Sequence, residues 1–350
     1  MDTLYTLNTA KPSLIQPHIF PLEEEIEELF SVPADNAVAT NELDNAITLL
    51  KFEGNEIVYD LIAKDFLEYV SGGDLAFLPV FSSDTIGYAQ TRGFLLFNIK
   101  SKKFIYYFIC EELEEYILDV AVVDAEKRHF VFEIECYDDD ISKAIPESNK
   151  ILKIADLSSE TGKILATIQI GKKDNWAVQD KTIFVYYQNT LTALNTDFES
   201  VEHPLVTFFN KQKETFRRLN QLYIHPSLPF AVLVEIDCKI NKDYVVWIVS
   251  WESEKQQFFK MLTKNKTFDF EFSPDGKWLI FRDKTQKASK YILMPVNSEL
   301  PHFLGSPITL GEIPYPETTA WTTNPLSFVV SEGDRILKWD LTNITVQKVS

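Results

Sequence analysis

Phe230-Ala231-Val232-Leu233-Val234-Glu235-Ile236-Asp237 and, six residues on, Tyr244-Val245-Val246-Trp247-Ile248-Val249-Ser250 decide the fold. Each is an apolar run of strand length, rich in β-branched and aromatic residues, and each ends where polar residues begin. A short polar stretch joins them, and the second run closes on a turn-forming residue. The same unit recurs along the chain. It runs from Ala46 to Asp60, from Thr85 to Asn98, and from His129 to Asp156 with an insertion. It returns from Thr182 to Asn195, from Trp278 to Val296, and from Leu326 to Asp340. With the opening copy this makes seven units, spaced by about 47 residues, within the range of four-stranded propeller blades.

Flanking apolar runs supply the other two strands of each unit. Candidates before the pair lie at 75–80, 117–123, 222–224 and 268–272; candidates after it lie at 66–70, 104–109, 164–170 and 257–262. A single blade cannot bury both faces of its own sheet, but a ring of blades can. That explains nearly continuous apolar runs such as Phe104 to Cys110, which are expected to be covered on both faces. The fold class is therefore all-β, a seven-bladed β-propeller of four-stranded antiparallel blades. Asp60, Asn98, Asp156, Asn195, Ser250, Val296 and Asp340 should occupy equivalent strand ends. Residues 36–350 form the propeller domain. Residues 1–35 fall outside the repeat as an N-terminal extension, where Leu22, Ile26, Leu29 and Phe30, with five glutamates among them, have the spacing of a short acidic amphipathic helix.

Three segments carry a resemblance. Ser273-Pro274-Asp275-Gly276-Lys277-Trp278 resembles the turn joining the first two strands of WD-repeat-like propellers. His225-Pro226-Ser227-Leu228-Pro229-Phe230 is similar to a variant of that turn, and Lys338-Trp339-Asp340-Leu341 resembles the strand bearing the Trp-Asp dipeptide. The resemblance is to the WD-repeat-like superfamily as a whole, since no Gly-His dipeptide occurs and Trp-Asp occurs once.

Charge narrows the function. The net charge is −18, and residues 1–175 hold 32 acidic against 15 basic residues. A surface so acidic repels phosphate backbones and anionic lipid, which argues against nucleic-acid and membrane partners. No apolar run reaches the roughly 18 residues of a spanning helix, and no basic, apolar leader precedes the repeat. Three cysteines without a CxxC spacing suit a reducing cytoplasm and neither a disulfide framework nor a zinc site. The five histidines lack HxH or HExxH spacing, no Gly-x-Ser-x-Gly elbow occurs, and 11 glycines form no phosphate-binding loop. No cofactor is expected.

One constellation is repeated. Glu133-Ile134-Glu135-Cys136 is echoed by Glu235-Ile236-Asp237-Cys238, and in each the two carboxylates fall on one strand face. Asp138, Asp139 and Asp140 follow the first. The loops at 137–149 and 238–243, between second and third strands, open on the same face of a propeller as the blade-to-blade connection at 207–218, which carries Lys211, Lys213, Arg217 and Arg218. A face with both signs of charge suits a protein or peptide partner of complementary charge. The expected function is a non-catalytic interaction scaffold. The alternative is a propeller hydrolase or lyase holding a divalent metal in the channel through Asp119, Asp269 and Glu271.

Overall fold

The structure is a computed structural model. It describes all residues except 1–10, 13–14, 24–25, 27, 33, 42–46, 64–75, 83–84, 90–91, 111–114, 137–148, 172–173, 188, 212–218, 238–242, 253–260, 264–266, 285–287, 299–303, 315, 317, 343 and 345–350.

Seven antiparallel sheets form a ring. Two short strands, β1 (Lys11–Pro12) and β2 (His18–Pro21), come first. Blade 1 is β3 (Glu28–Ser31), β4 (Ala37–Asn41), β5 (Ile47–Glu53) and β6 (Glu56–Ala63). Blade 2 is β7 (Ala76–Ser82), β8 (Thr85–Ala89), β9 (Gly93–Asn98) and β10 (Lys103–Phe108). Blade 3 is β11 (Glu115–Asp124), β12 (His129–Cys136), β13 (Asn149–Asp156) and β14 (Lys163–Ile170). Blade 4 is β15 (Asn175–Gln179), β16 (Thr182–Tyr187), β17 (Thr190–Leu194) and β18 (Ser200–Val201), followed by the helix α1 (Pro204–Lys211). Blade 5 is β19 (Leu219–Ile224), β20 (Phe230–Asp237), β21 (Asp243–Ser250) and β22 (Met261–Thr263). Blade 6 is β23 (Thr267–Phe272), β24 (Trp278–Lys284), β25 (Ala288–Pro295) and β26 (Ile308–Pro314), with β1 added parallel to β26 as a fifth strand. Blade 7 is β27 (Thr319–Thr323), β28 (Leu326–Glu332) and β29 (Arg335–Asp340), and its outer strand is β2.

The apolar residues explain the ring. Side chains alternate across each strand, so each blade presents two apolar faces. On β9, Leu95 and Phe97 pack toward blade 1, while Phe94 and Leu96 pack toward blade 3. Seven buried clusters result, and each sits at the junction of two successive blades. At about 1.5–3 kcal/mol for each fully buried large side chain, these junctions dominate the favourable side of folding.

The N-terminal segment forms strands where the sequence suggested a helix. Residues 18–21 and 28–31 are β2 and β3, so the ring draws on residues before 36. The helical spacing misled because β3 is buried on both faces. Leu29 enters the cluster between blades 7 and 1, and its neighbour Phe30 enters the one between blades 1 and 2. Consecutive buried residues of this kind mimic helical spacing when they stand beside Ile26. The first repeat copy is displaced for the same reason. Asp60 lies in the fourth strand of blade 1, and Glu53 ends the third. Asn98, Asp156, Ser250 and Asp340 do end third strands, and Asn195 and Val296 follow them directly.

Turns between first and second strands tie neighbouring blades. In the Ser273–Trp278 turn, Ser273 Oγ donates to Asp275 at 2.7 Å and accepts the Trp278 N–H at 3.0 Å. Gly276 has φ +69°, and a Cβ there would lie 2.9 Å from the His225 ring. That close approach lets His225 Nε2 reach the Gly276 carbonyl at 2.7 Å. Its Nδ1 accepts the N–H groups of Ser227 and Leu228 at 3.1 and 2.7 Å. The arrangement is satisfied only by the neutral imidazole protonated on Nε2. Gln179 continues the chain from blade 4 by donating to the carbonyls of His225 and Leu228.

Burial holds the His225 pKa below its ordinary 6.5, partly offset by the Gly276 carbonyl. The folded state therefore resists a proton that the unfolded chain accepts near 6.5, and this contribution to stability is lost as pH falls below that value. Thermal melts of native protein and His225→Asn at pH 8 and about pH 5.5 test this. The native protein should lose more stability over that interval than the variant; equal losses would show that His225 plays no part in it.

Candidate functional site

β12 and β20 are the second strands of blades 3 and 5, so their C-terminal ends reach the face of the ring at which the inner strands begin. Glu133 and Glu135 stand near that end of β12, Glu235 and Asp237 at that end of β20, and exposed Lys211 ends α1 shortly before β19. Asp138, Asp139, Asp140, Lys213, Arg217 and Arg218 lie outside the described residues, as does the side chain of Asp237.

The first acid of each echoed pair is buried and takes an indole N–H. Trp176 on β15 donates to Glu133 at 2.7 Å, which ties blade 4 to blade 3, and Lys150 donates to the other oxygen of the same carboxylate. Trp247 on β21 donates to Glu235 at 2.7 Å within blade 5. Glu271 on β23 repeats the arrangement, accepting from Trp321 on β27 at 2.7 Å across the junction of blades 6 and 7. Burial raises the Glu271 pKa, and the indole bond opposes that shift. Half of the six tryptophans thus cap a glutamate. Hydrogen bonds to charged groups contribute about 1.5–3 kcal/mol each, so these acids act as structural ties. No local sequence signal marks the pairs, because strand register and blade order bring the partners together.

The three acids considered for a channel metal are spread across the ring. Asp119 is on β11 in blade 3, whereas Asp269 and Glu271 are on β23 in blade 6. The Arg282 guanidinium lies 3.2 Å from Asp269 and also donates to Thr319 Oγ1 at 3.1 Å. Among the described residues no three His, Cys, Asp or Glu side chains are gathered to hold a metal ion. Asp119 is open to solvent yet crowded by protein on the innermost strand. That crowding pushes its pKa up to about 6, helped by Glu133 and opposed by the Val120 N–H at 2.8 Å and by Lys150.

No protein-family model matches the chain, and no curated protein matches it in sequence. Solved structures do match. A chain of a mitotic checkpoint complex is similar over 98% of both chains, with 8% identity and a TM-score of 0.51. The Cps50 (Swd1) β-propeller domain of Myceliophteria thermophila covers 91% of this chain and 98% of its own, with 8% identity and a TM-score of 0.53. The Pan2 WD40 domain of Neurospora crassa covers 93% and 91%, with 8% identity and a TM-score of 0.52. The chain has the fold of WD40 β-propellers, and at this identity the likeness concerns the fold alone.

The raised Asp119 pKa sets a measurable sign. The folded state keeps a proton that the unfolded chain loses near pH 4, so ionisation of Asp119 costs stability as pH rises through about 6. In urea titrations, Asp119→Asn should be more stable than the native chain at pH 8, with the advantage shrinking toward pH 4. An advantage of the same size at both pH values would contradict this environment.

Proposed function

We propose that the protein is a non-catalytic interaction scaffold that binds a folded protein or a peptide through the ring face carrying the second-to-third-strand loops. What supports the reading is the order of charge along the sequence. Buried Glu133 on β12, buried Glu235 on β20 and half-buried Glu271 on β23 are engaged by tryptophans inside the ring. Further charge of both signs lies in the sequence just beyond strands and a helix that end toward one face: Asp138, Asp139 and Asp140 after β12, and Lys213, Arg217 and Arg218 after α1. A partner that reads both signs gains specificity and encounter rate from complementary charge, whereas a polyanion is repelled by the −18 net charge. Nucleic acid and anionic membrane are disfavoured as partners on the same ground. Among the described residues no helix is long and apolar enough to cross a membrane. Three cysteines without a CxxC spacing suit a reducing cytoplasm as the place of action.

Affinity capture from native lysate at low and high salt tests the proposal, comparing the native chain with Asp138→Lys, Asp139→Lys, Asp140→Lys combined. Capture should weaken in the variant and at high salt, since surface charge is screened within about 10 Å at 0.1 M. The melting temperature should stay nearly unchanged, as for residues that act through a partner and not through packing. Capture equal to the native chain in both salts would remove this face from the account.

A further inference from the structure

The outer strand of blade 4 is cut short. β18 has two residues, and the chain then enters α1 at Pro204. His203 caps that helix: its Nδ1 accepts the Leu205 N–H at 3.1 Å, and its ring stands edge-on to Phe184 on β16, 4.7 Å between ring centres. The same ring meets Trp251, just past the end of β21, at 5.7 Å. Trp251 is half-buried, and its backbone N–H donates to the Pro229 carbonyl at 3.2 Å. Beside these groups a cavity of about 530 Å³ lies at the junction of blades 4 and 5. It is bounded by the turns between first and second strands, on the opposite face of the ring from the second-to-third-strand loops.

The walls offer acceptors and apolar surface. Pro226, Leu228 and Pro229 make the turn of blade 5 apolar, and Trp251 adds an indole. Asp180 on blade 4 and Glu252 on blade 5 each bring a carboxylate, and both residues are exposed. Gln179 commits its amide nitrogen to the carbonyls of His225 and Leu228, which leaves the amide oxygen as a further acceptor. Among the described residues that line the cavity, none is Lys or Arg. The adjacent Lys181 is drawn toward blade 3, where it pairs with Asp124 at 3.1 Å and Glu126 at 3.4 Å. The turn thus divides its charges, sending the lysine to blade 3 and leaving the carboxylate to the cavity. His203 adds no charge near neutrality, because burial lowers its pKa below 6.5 and its Nδ1 is already an acceptor.

We infer that this cavity is a binding site for an arginine side chain presented by a segment of a partner protein. A guanidinium is a planar cation that stacks on an indole and donates to carboxylates in a fork. Its methylene stem packs on proline and leucine. Lysine has the charge without the plane, and an anion is repelled by both carboxylates. The indole is in place before the ligand arrives, held by Pro229 and His203, so binding has little left to order. The site adds a second contact to the scaffold reading, on the other face, and its test involves none of the loop residues.

Fluorine NMR of the full chain labelled with fluorotryptophan tests the proposal, with the Trp251 signal identified by its loss in Trp251→Phe. Acetyl-arginine amide is the probe. Acetyl-lysine amide and acetyl-citrulline amide are the controls, since citrulline keeps the shape of arginine without its charge. The Trp251 signal should move saturably with the arginine probe below about 50 mM, and at least about fivefold more tightly than with either control. Asp180→Asn combined with Glu252→Gln changes exposed side chains, and Asn suits the left-handed turn at φ +42°. That variant should bind the probe at least about fivefold more weakly. No saturable movement of the Trp251 signal would overturn the proposal. So would either control binding within about fivefold of arginine, or a smaller loss in the double variant.

Discussion

Every blade is apolar on both faces, and everything else in the structure follows from the need to cover both. A lone sheet of this kind would leave Leu95 and Phe97 on one side, or Phe94 and Leu96 on the other, in water. A row of seven would still leave two faces bare. Only a closed ring gives every blade two neighbours, so the junction between blades 7 and 1 determines whether the remaining six can persist. That junction is made by the two ends of the chain. Phe20, Ile26 and Leu29 meet Ala320, Val329 and Ile336 in one cluster. Backbone bonds reinforce it: Leu29 N–H donates to Thr318 Oγ1 at 3.1 Å, Thr318 Oγ1 donates back to the Leu29 carbonyl at 3.2 Å, and Trp321 N–H donates to Ser31 Oγ at 2.8 Å.

Polar groups placed between the blades fix their relative positions. Apolar contact is non-directional and would allow neighbouring sheets to slide. The Trp176–Glu133 and Trp321–Glu271 pairs, the His225–Gly276 bond, and Lys153 reaching the Ile109 carbonyl at 3.3 Å each join specified positions on two blades.

The count of blades is legible because third strands end in turn residues, at Asn98, Asp156, Ser250 and Asp340, and the turn at Ser273 to Trp278 has a recognisable chemistry. Blade 1 was misread because its first two strands lie among glutamates, and because a strand buried on both faces can imitate the spacing of a helix at Ile26, Leu29 and Phe30. The indole–carboxylate pairs leave no trace in one dimension, since Glu133 and Trp176 are far apart in sequence and meet only through blade order. The apolar run of β10 is visible in the sequence, but the exposure of Phe104 and Phe108 is not. An apolar strand with both faces covered and one left on a rim share the same composition, and only strand order separates them.

Closure by the chain's own N-terminal strand is most directly tested by native-state hydrogen exchange at the amides of β2. The Phe20 amide, opposite Ile336, should exchange only through the same global opening that releases β28 and β29. Rapid exchange of this amide while the other strands of blade 7 stay protected would show that the ring holds without this strand, and would contradict the account.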